Sequence, residues 1–161
     1  PVLGGGFASL KALQRGSNDN QEEEMTQPSK PLPLPDMETE AFWAAAREHK
    51  LMLPKCTECG FIAFPPKSQC PRCQSTRVEW TQMSGKGTVY TFSTMHDTFI
   101  RGYEPPYVVA QVELEEQPGL RLNSNILECD VKDVHIGMLV EVTFEERSDE
   151  VTMPQFRPRQ G

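Results

Sequence analysis

Two matched pairs of cysteines constrain this chain more than any other feature of its sequence. Cys56 and Cys59 are separated by two residues, and so are Cys70 and Cys73. This spacing lets one tight turn point both thiols at a single metal ion, and two such turns complete a tetrahedral shell of four sulfurs, the geometry that Zn²⁺ favours in structural sites. The sequence therefore predicts a zinc ribbon with these four cysteines as ligands.

Other uses of paired cysteines fit this sequence less well. Disulfides need an oxidising compartment, and nothing in the sequence resembles a secretory signal. A redox-active Cys-x-x-Cys motif is normally a single pair beside a βαβ pattern. Iron remains the main competitor for four thiolates. Because all four ligands come from the protein, no coordination position is left for water or substrate, and the metal is expected to hold the fold without doing chemistry.

Composition limits the size and setting of the protein. The chain has 161 residues, of which 37% are hydrophobic and 14 are prolines, which indicates one domain or two small ones with a modest core. It carries 16 basic and 23 acidic residues, and no apolar run approaches the roughly 20 residues of a membrane span. We therefore expect a cytoplasmic protein. The fifth cysteine, Cys129, follows an apolar stretch and is expected to be a small buried residue.

The chain divides by composition into four regions. Residues 1–35 are expected to be a flexible linker, or a remnant upstream of a natural start at Met25, with two helical turns over 7–15. Residues 36–84 are predicted to contain a helix over 36–51, capped by Asp36 and ended by Pro54, and then the zinc ribbon. Residues 85–158 form a third region, and 159–161 a short tail.

The region 85–158 shows the alternation typical of antiparallel strands. Apolar and polar residues alternate in runs at 88–95, 107–115, 120–127, 138–146 and 151–156, and Gly, Pro and Asp turns separate the runs. The predicted inward faces include Val108, Ala110, Val112 and Leu114 in the second run, and Met138, Val140, Val142 and Phe144 in the fourth. Five such strands favour an OB-fold, a small partly open barrel, so the predicted class is α+β.

A series of short motifs in a fixed order gives the chain a family resemblance. They are Glu40-Ala41-Phe42-Trp43, Leu53-Pro54-Lys55-Cys56, Phe64-Pro65-Pro66-Lys67, Cys70-Pro71-Arg72-Cys73, Gly85-Lys86-Gly87-Thr88-Val89-Tyr90, Pro106-Tyr107-Val108-Val109-Ala110, Ile136-Gly137-Met138-Leu139-Val140 and Pro154-Gln155-Phe156-Arg157-Pro158. Over residues 36–158 the sequence resembles the DUF-35 family, whose members pair a rubredoxin-like zinc ribbon with an OB-fold. The sequence 116–119 departs from the shorter, glycine-rich turn expected there.

The resemblance implies a non-catalytic accessory subunit in acyl-CoA metabolism. Its implied partners are enzymes of the thiolase superfamily: thiolases, hydroxymethylglutaryl-CoA synthase, acyltransferases, and lipid-transfer-protein-like aldolases that shorten steroid side chains. The accessory subunit is expected to bridge these enzymes and to help enclose the acyl-CoA, which would then be a ligand of the complex.

Few residues of the sequence suit catalysis. His96 and Asp97 are adjacent, and neighbouring side chains on a strand point to opposite faces, so a strand-end histidine near solvent is favoured. Cys129 has no neighbouring histidine in the sequence, and His135 lies in a predicted turn. A stand-alone acyl-CoA enzyme is therefore the least favoured hypothesis.

Binding of single-stranded nucleic acid is the main alternative function, because zinc ribbons and OB-folds both bind nucleic acids. Tyr90, Phe92 and Tyr107 offer rings on which bases could stack. The charge argues against it: from Lys86 onward the chain has seven basic and thirteen acidic residues, and backbone binding depends on the density of cations.

Two segments are predicted to contact a partner or acyl-CoA. The loop 98–106 carries Phe99 and Tyr103, and apolar groups in a long loop either pack on the ribbon or form an interface. The C-terminal residues Phe156, Arg157 and Arg159 could contact the partner or the phosphates of coenzyme A, with a frayed tail as the equally weighted alternative.

Overall fold

Two antiparallel sheets of different size organise the chain. The computed structural model describes residues 30–159, so the helical turns predicted over 7–15 lie outside the described residues. The described part contains one helix, α1 (Glu40–Arg47), and seven strands. The strands are β1 (Met52–Cys56), β2 (Val78–Gln82), β3 (Lys86–Met95), β4 (Tyr107–Leu114), β5 (Arg121–Asn125), β6 (Leu139–Glu146) and β7 (Thr152–Pro158).

The five strands β3–β7 form a nearly closed barrel. Their order in the sheet is β5-β4-β3-β6-β7, and all neighbouring pairs are antiparallel. A parallel bridge between Ile126 and Phe156 joins the chain after β5 to β7 and brings the two edges of the sheet together. This is the strand arrangement of an OB-fold. The predicted α+β class and barrel are confirmed.

Strand alternation decides which side chains fill the barrel. The predicted inward residues of β4 are all buried: Val108, Ala110, Val112 and Leu114. On β6 Val140 is fully buried, whereas Val142 and Phe144 are half-buried. The predicted inward face of β6 is therefore correct only in part. Phe144 lies at the rim of the barrel, where its ring stacks on the imidazole of His49 with 5.2 Å between ring centroids.

The helix is shorter than the predicted range 36–51. It covers Glu40–Arg47, because Asp36 caps a separate turn in front of it, where Oδ1 of Asp36 accepts two backbone N–H bonds of 2.8 and 3.0 Å. The helix ends at Arg47, and the left-handed residue His49 (φ 56°) follows its C-cap Glu48. Pro54 lies further on in β1, so Pro54 does not end the helix. Between residues 30 and 159 no helix is long and apolar enough to span a lipid bilayer.

The small sheet β1–β2 packs against the barrel through polar and apolar contacts. The side chain of Gln117, in the turn between β4 and β5, accepts a bond from the N–H of Ile62 (2.9 Å) and donates one to its C=O (3.1 Å). The β1–β2 ladder itself continues by one bond, from the N–H of Met83 to the C=O of Leu51 (2.8 Å). Phe42, Leu51 and Ile62 belong to the same buried cluster as the barrel core, so the two sheets share one core.

Candidate metal centre and docking surface

The two cysteine turns have the same backbone geometry. In the first, the N–H of Cys56 donates to the C=O five residues later (2.8 Å), and its C=O accepts from the N–H of Gly60 (2.9 Å). In the second, Cys70 makes the same two bonds (2.9 and 2.8 Å), and Gln74 takes the place of Gly60. Gly60 and Gln74 are both left-handed, with φ of 73° and 61°. The repeated spacing in the sequence thus corresponds to a repeated fold of the backbone.

These turns bring together the four thiols that the sequence singled out. The sulfurs of Cys56 and Cys73 are 3.6 Å apart, and so are those of Cys59 and Cys70. All four sulfurs lie within 4.8 Å of one another. A tetrahedral shell with Zn–S bonds of about 2.3 Å places its sulfurs about 3.8 Å apart. The four cysteines are therefore positioned to bind one metal ion.

The pKa values of Cys70 and Cys73 are shifted in opposite directions. Burial raises the pKa of Cys70, but the backbone N–H groups of Cys73 and Arg72 donate to its sulfur and lower the pKa to about 7. For Cys73, the backbone N–H of Ser75 lowers the pKa, yet burial and the other three sulfurs raise it to about 12. Crowded thiolates repel one another without a cation, so metal binding must release the remaining protons.

The cysteine cluster is a closed ligand set. Cys56 and Cys70 are buried, Cys59 is half-buried, and Cys73 lies at the surface. Within residues 30–159 no His, Asp or Glu joins the group. Four thiolates saturate a tetrahedral ion, so the centre has no place for a substrate or an activated water. A metal held here would fix β1 and the following loops as a rigid unit.

The loop between β3 and β4 (residues 96–106) carries two predicted contact residues in different settings. Phe99 is 73% exposed and Ile100 is exposed beside it. Tyr103 is packed on the barrel instead: its ring lies 4.9 Å from that of Tyr107, and its hydroxyl accepts a bond of 3.1 Å from Arg147. The base of the loop is thus fixed, and its tip presents apolar side chains to solvent.

A polar network that sequence reasoning missed holds this loop. The Arg147 side chain is only 5% exposed, and it donates to Glu145 at 2.8 Å as well as to Tyr103. Glu145 also accepts from Lys30 (2.6 Å) and from the buried amide of Gln155 (3.0 Å). Only folding brings these distant residues together, so no local motif in the sequence marks them.

Phe156 requires a correction. Its side chain is fully buried in the barrel, because β7 continues through it and pairs along its length with β6. Phe156 is therefore a core residue in this structure, and its ring is not at the surface for a partner. The alternative of a frayed tail is also wrong for the described C-terminal residues, because the N–H of Arg159 donates to the C=O of Leu139 (3.0 Å).

Arg157 and Arg159 are both paired with carboxylates of the barrel. Arg157 donates to Glu141 (3.0 Å) and Glu128 (3.2 Å), and Arg159 donates to Glu115 (2.8 Å). The carboxylates of Glu128 and Glu141 raise the pKa of Arg157. All three pairs are partly open to solvent. Each guanidinium keeps N–H donors besides those in these pairs, but a phosphate bound there would lie close to the paired carboxylates and be repelled by their charge.

The residues considered for catalysis are not assembled into a site. His96, Asp97 and His135 are exposed, and the hydrogen bond found for His135 is a local one between Nδ1 and the C=O of Asp133 (3.0 Å). Cys129 is half-buried, not buried as predicted, because it lies in the irregular segment after β5 that only borders the core. Burial raises the pKa of its thiol, and nearby carboxylates add to this effect.

The aromatic residues considered for base stacking are largely occupied. The guanidinium of Arg121 lies 3.3 Å from the centroid of the Tyr90 ring and pairs with Glu113. The Tyr107 ring packs on Tyr103. These contacts leave few open rings and few free cations on this part of the barrel, so the structure does not favour nucleic-acid binding.

Family comparisons match the two parts of the chain separately. Residues 43–79 match the rubredoxin-like zinc ribbon domain of ChsH2, and residues 80–145 match its C-terminal OB-fold domain. A probable enoyl-CoA hydratase alpha subunit of Thermomonospora curvata is 32% identical over 144 residues, which are 89% of this chain and 44% of that relative. A DUF35 domain-containing scaffold protein of Methanocaldococcus jannaschii is 43% identical over 93 residues, 56% of this chain and 64% of that one. The chain thus spans less than two thirds of both relatives.

Two further similarities concern complexes. The benzoylsuccinyl-CoA thiolase subunit BbsA of Thauera aromatica is 36% identical over 64 residues, 38% of this chain and 42% of that relative. The solved structure of an Ltp2-ChsH2(DUF35) aldolase superimposes with a TM-score of 0.72 at 33% identity, over 78% of this chain and 98% of that one. The same ribbon and barrel therefore occur in proteins named as subunits and scaffolds.

Proposed function

The chain belongs to the DUF35 family of zinc-ribbon and OB-fold proteins, and from this membership we propose that it is an accessory subunit that docks on a thiolase-like acyl-CoA enzyme. The observation that carries the proposal is the shared architecture: relatives with this ribbon and barrel are named as a scaffold protein, a thiolase subunit and part of an aldolase complex.

The chemistry of the chain supports a role without catalysis. The metal centre that we propose, with Cys56, Cys59, Cys70 and Cys73 as zinc ligands, is saturated by protein sulfurs and offers no Lewis-acid position. In the described part of the chain, no hydroxyl or thiol donates a hydrogen bond to a histidine, and the hydroxyl–carboxylate pairs Thr39–Asp36 and Ser68–Glu38 lie at the exposed turn before α1. Zinc would instead fix the ribbon, and the shared core would fix the ribbon against the barrel.

The docking surface that we propose includes the tip of the loop 96–106. Phe99 is a large apolar side chain in solvent, and the loop beneath it is fixed by the contacts of Tyr103 with Arg147. Aromatic anchors on pre-ordered elements lose little conformational entropy on binding, and they often dominate the energy of an interface. Acyl-CoA would bind in the complex with Arg157 and Arg159 as the candidate phosphate contacts, near the end of β3 opposite to this loop, because Arg157 pairs with Glu141 and Glu141 lies across from Lys86.

Copurification with the enzyme from the native host tests the proposal. Tagged wild-type protein is expected to retain a thiolase-fold subunit, and Phe99→Ala is expected to weaken that binding at least tenfold with unchanged thermal stability. Ile136→Ala is the matched control, because Ile136 is a similarly exposed apolar residue in a different loop. Binding of Phe99→Ala at wild-type strength would place the interface outside the loop 96–106.

Turnover measurements test the accessory role. The isolated protein is expected to leave acyl-CoA thioesters intact, and to change the rate or the yield of the enzyme when added to it. Turnover of an acyl thioester by the isolated protein would contradict the proposal. Coenzyme A is expected to bind the isolated chain weakly, because the carboxylates paired with Arg157 and Arg159 repel its phosphates.

A further inference from the structure

The segment in front of α1 is unusual because its apolar side chains point into solvent. Residues 31–35 alternate proline and leucine, and we call them the proline arm. The side chain of Leu34 is 92% exposed and that of Leu32 is 45% exposed. Single exposed leucines are common, but two in one short segment without regular structure form an apolar strip that a partner can cover.

Both ends of the proline arm are anchored. On one side Lys30 pairs with Glu145 of β6 at 2.6 Å and lies over the Tyr103 ring. On the other side Asp36 caps the turn before α1, and Glu38 in that turn pairs with Lys67 of the ribbon at 2.8 Å. The arm therefore runs from the barrel to the ribbon and is held at both ends, which lowers the entropy lost when it binds.

The backbone of the proline arm can donate hydrogen bonds on one edge only. In an extended chain the N–H and C=O of alternate residues point to opposite edges. Pro31, Pro33 and Pro35 have no N–H, so the edge that they share offers only acceptors. Leu32 and Leu34 share the other edge and keep both donor and acceptor, and neither forms a backbone hydrogen bond with any residue from 30 to 159.

We infer that the proline arm adds as a strand to an open sheet edge of the enzyme subunit, through the backbone of Leu32 and Leu34. This inference rests on the proposed function, because the enzyme subunit is the partner named there. Strand addition uses main-chain hydrogen bonds for affinity and pockets for alternate side chains for specificity. The donor-free proline edge faces away from the partner and cannot recruit a further strand, a known way to protect exposed edges.

The spacing of the prolines favours a strand over a polyproline helix. A polyproline II helix repeats every three residues, so prolines at every second position would be spread over its faces. In a strand, the period of two puts all three prolines on one face and both leucines on the other. Docking as a polyproline helix in an aromatic groove is therefore the competing outcome of the test.

Hydrogen exchange of the wild-type protein, free and bound to the copurified enzyme, tests the arm. The amides of Leu32 and Leu34 are expected to exchange fast in the free protein and at least tenfold more slowly in the complex. The double variant Leu32→Pro and Leu34→Pro keeps the segment apolar and removes both donors, and it is expected to weaken binding about tenfold or more. The matched control Pro31→Ala and Pro33→Ala keeps both leucine donors and is expected to bind within about threefold of the wild type.

Any other result contradicts the inference that the proline arm adds as a strand to the enzyme. Fast exchange of both amides in the complex would indicate groove docking of a polyproline helix, and slow exchange in the free protein would mean that the donors are already bonded. If the double-proline variant bound with wild-type affinity, strand addition by the arm would be excluded, but the proposed function would not be contradicted. If the wild type binds no enzyme, both proposals fail together. If the isolated wild type formed a dimer and the double-proline variant were a monomer, the arm would serve self-association instead.

Discussion

At the scale of single residues, the most informative group is one that the sequence does not mark. Glu145 accepts hydrogen bonds from Lys30, Arg147 and Gln155, and Arg147 continues the network to Tyr103. Burial raises the pKa of Glu145, but these three hydrogen bonds outweigh it and hold the pKa below its ordinary value of 4.5. The network joins the proline arm, the barrel and the loop 96–106.

The lowered pKa of Glu145 predicts how stability depends on pH. Because the folded-state pKa lies below the unfolded-state value, ionised Glu145 stabilises the fold above about pH 4.5, and this contribution disappears as the pH falls through the folded-state pKa. Glu145→Gln is expected to lower the free energy of unfolding by about 1 kcal/mol at pH 7, discounted for partial solvent screening. Urea denaturation from pH 3 to 8 measures it.

The neighbouring residue supplies the control for this measurement. Glu146→Gln removes the same charge from an exposed position and is expected to change the stability little. The difference between wild type and Glu145→Gln should shrink towards zero at the acid end of the range. A difference that is the same at pH 3 and pH 7 would show that ionisation of Glu145 does not stabilise the fold.

At the scale of elements, turns position the ribbon on the barrel. The turn 115–120 between β4 and β5 is longer than the glycine-rich turn expected from the family resemblance. Its Gln117 makes both hydrogen bonds to the backbone of Ile62, and Glu116 accepts a bond from the N–H of Ser84 (2.5 Å). The extra residues therefore join the two sheets, which a hairpin of minimal length would not reach.

Gly85, at the entry to β3, gives a prediction at this scale. A Cβ at this position would lie 2.2 Å from Cγ1 of Val142, and the residue is left-handed with φ of 74°. Gly85→Ala is expected to cost about 3 kcal/mol of unfolding free energy, through backbone strain and overpacking together. Thermal or chemical denaturation of the variant checks the value.

Gly119 serves as the control that separates backbone strain from overpacking in the effect of Gly85→Ala. It has nearly the same φ, 79°, but a Cβ there would meet no atom within 4 Å. Gly119→Ala is therefore expected to cost only the strain of the left-handed backbone, about 1–2 kcal/mol. If both variants lost the same stability, the close approach of Gly85 to Val142 would not matter to the fold.

At the scale of the whole molecule, a buried apolar core stabilises the barrel, whereas a bound metal is expected to stabilise the ribbon. Most residues of the shared buried core belong to the barrel, and the ribbon contributes only a few, such as Leu53 and Ile62. Small units with little core commonly depend on a metal for their folding. The proline arm is held to the ribbon by the pair of Glu38 with Lys67, so the geometry of the docking surface we propose depends on the metal even though the metal contacts no substrate.

Loss of the metal should therefore abolish docking while the barrel stays folded. Cys56→Ser and Cys73→Ser are each expected to reduce bound zinc to background and to abolish copurification of the enzyme, with the strand signal in circular dichroism largely retained. Cys129→Ser is the matched control and should keep one zinc per chain by elemental analysis. Copurification of a metal-free cysteine variant at wild-type yield would refute the link between zinc and docking.

The sequence by itself determined the features that rest on local spacing and alternation. The paired cysteines predicted the thiol cluster, and the period of two along residues 107–115 predicted the buried face of β4, because turn geometry and strand geometry act over a few neighbouring residues. The five alternating runs between residues 88 and 156 were enough to predict an OB-fold.

Only the tertiary structure decided which of the predicted contact residues are exposed to solvent and which are buried or paired with carboxylates. Phe156 fills the core, Arg157 and Arg159 hold carboxylates, and Phe99 reaches solvent. Glu145 meets Lys30 across 115 positions of sequence. Such contacts depend on how the barrel closes and how the ribbon docks on it, which are properties of the whole packed chain and leave no periodic signal in the sequence.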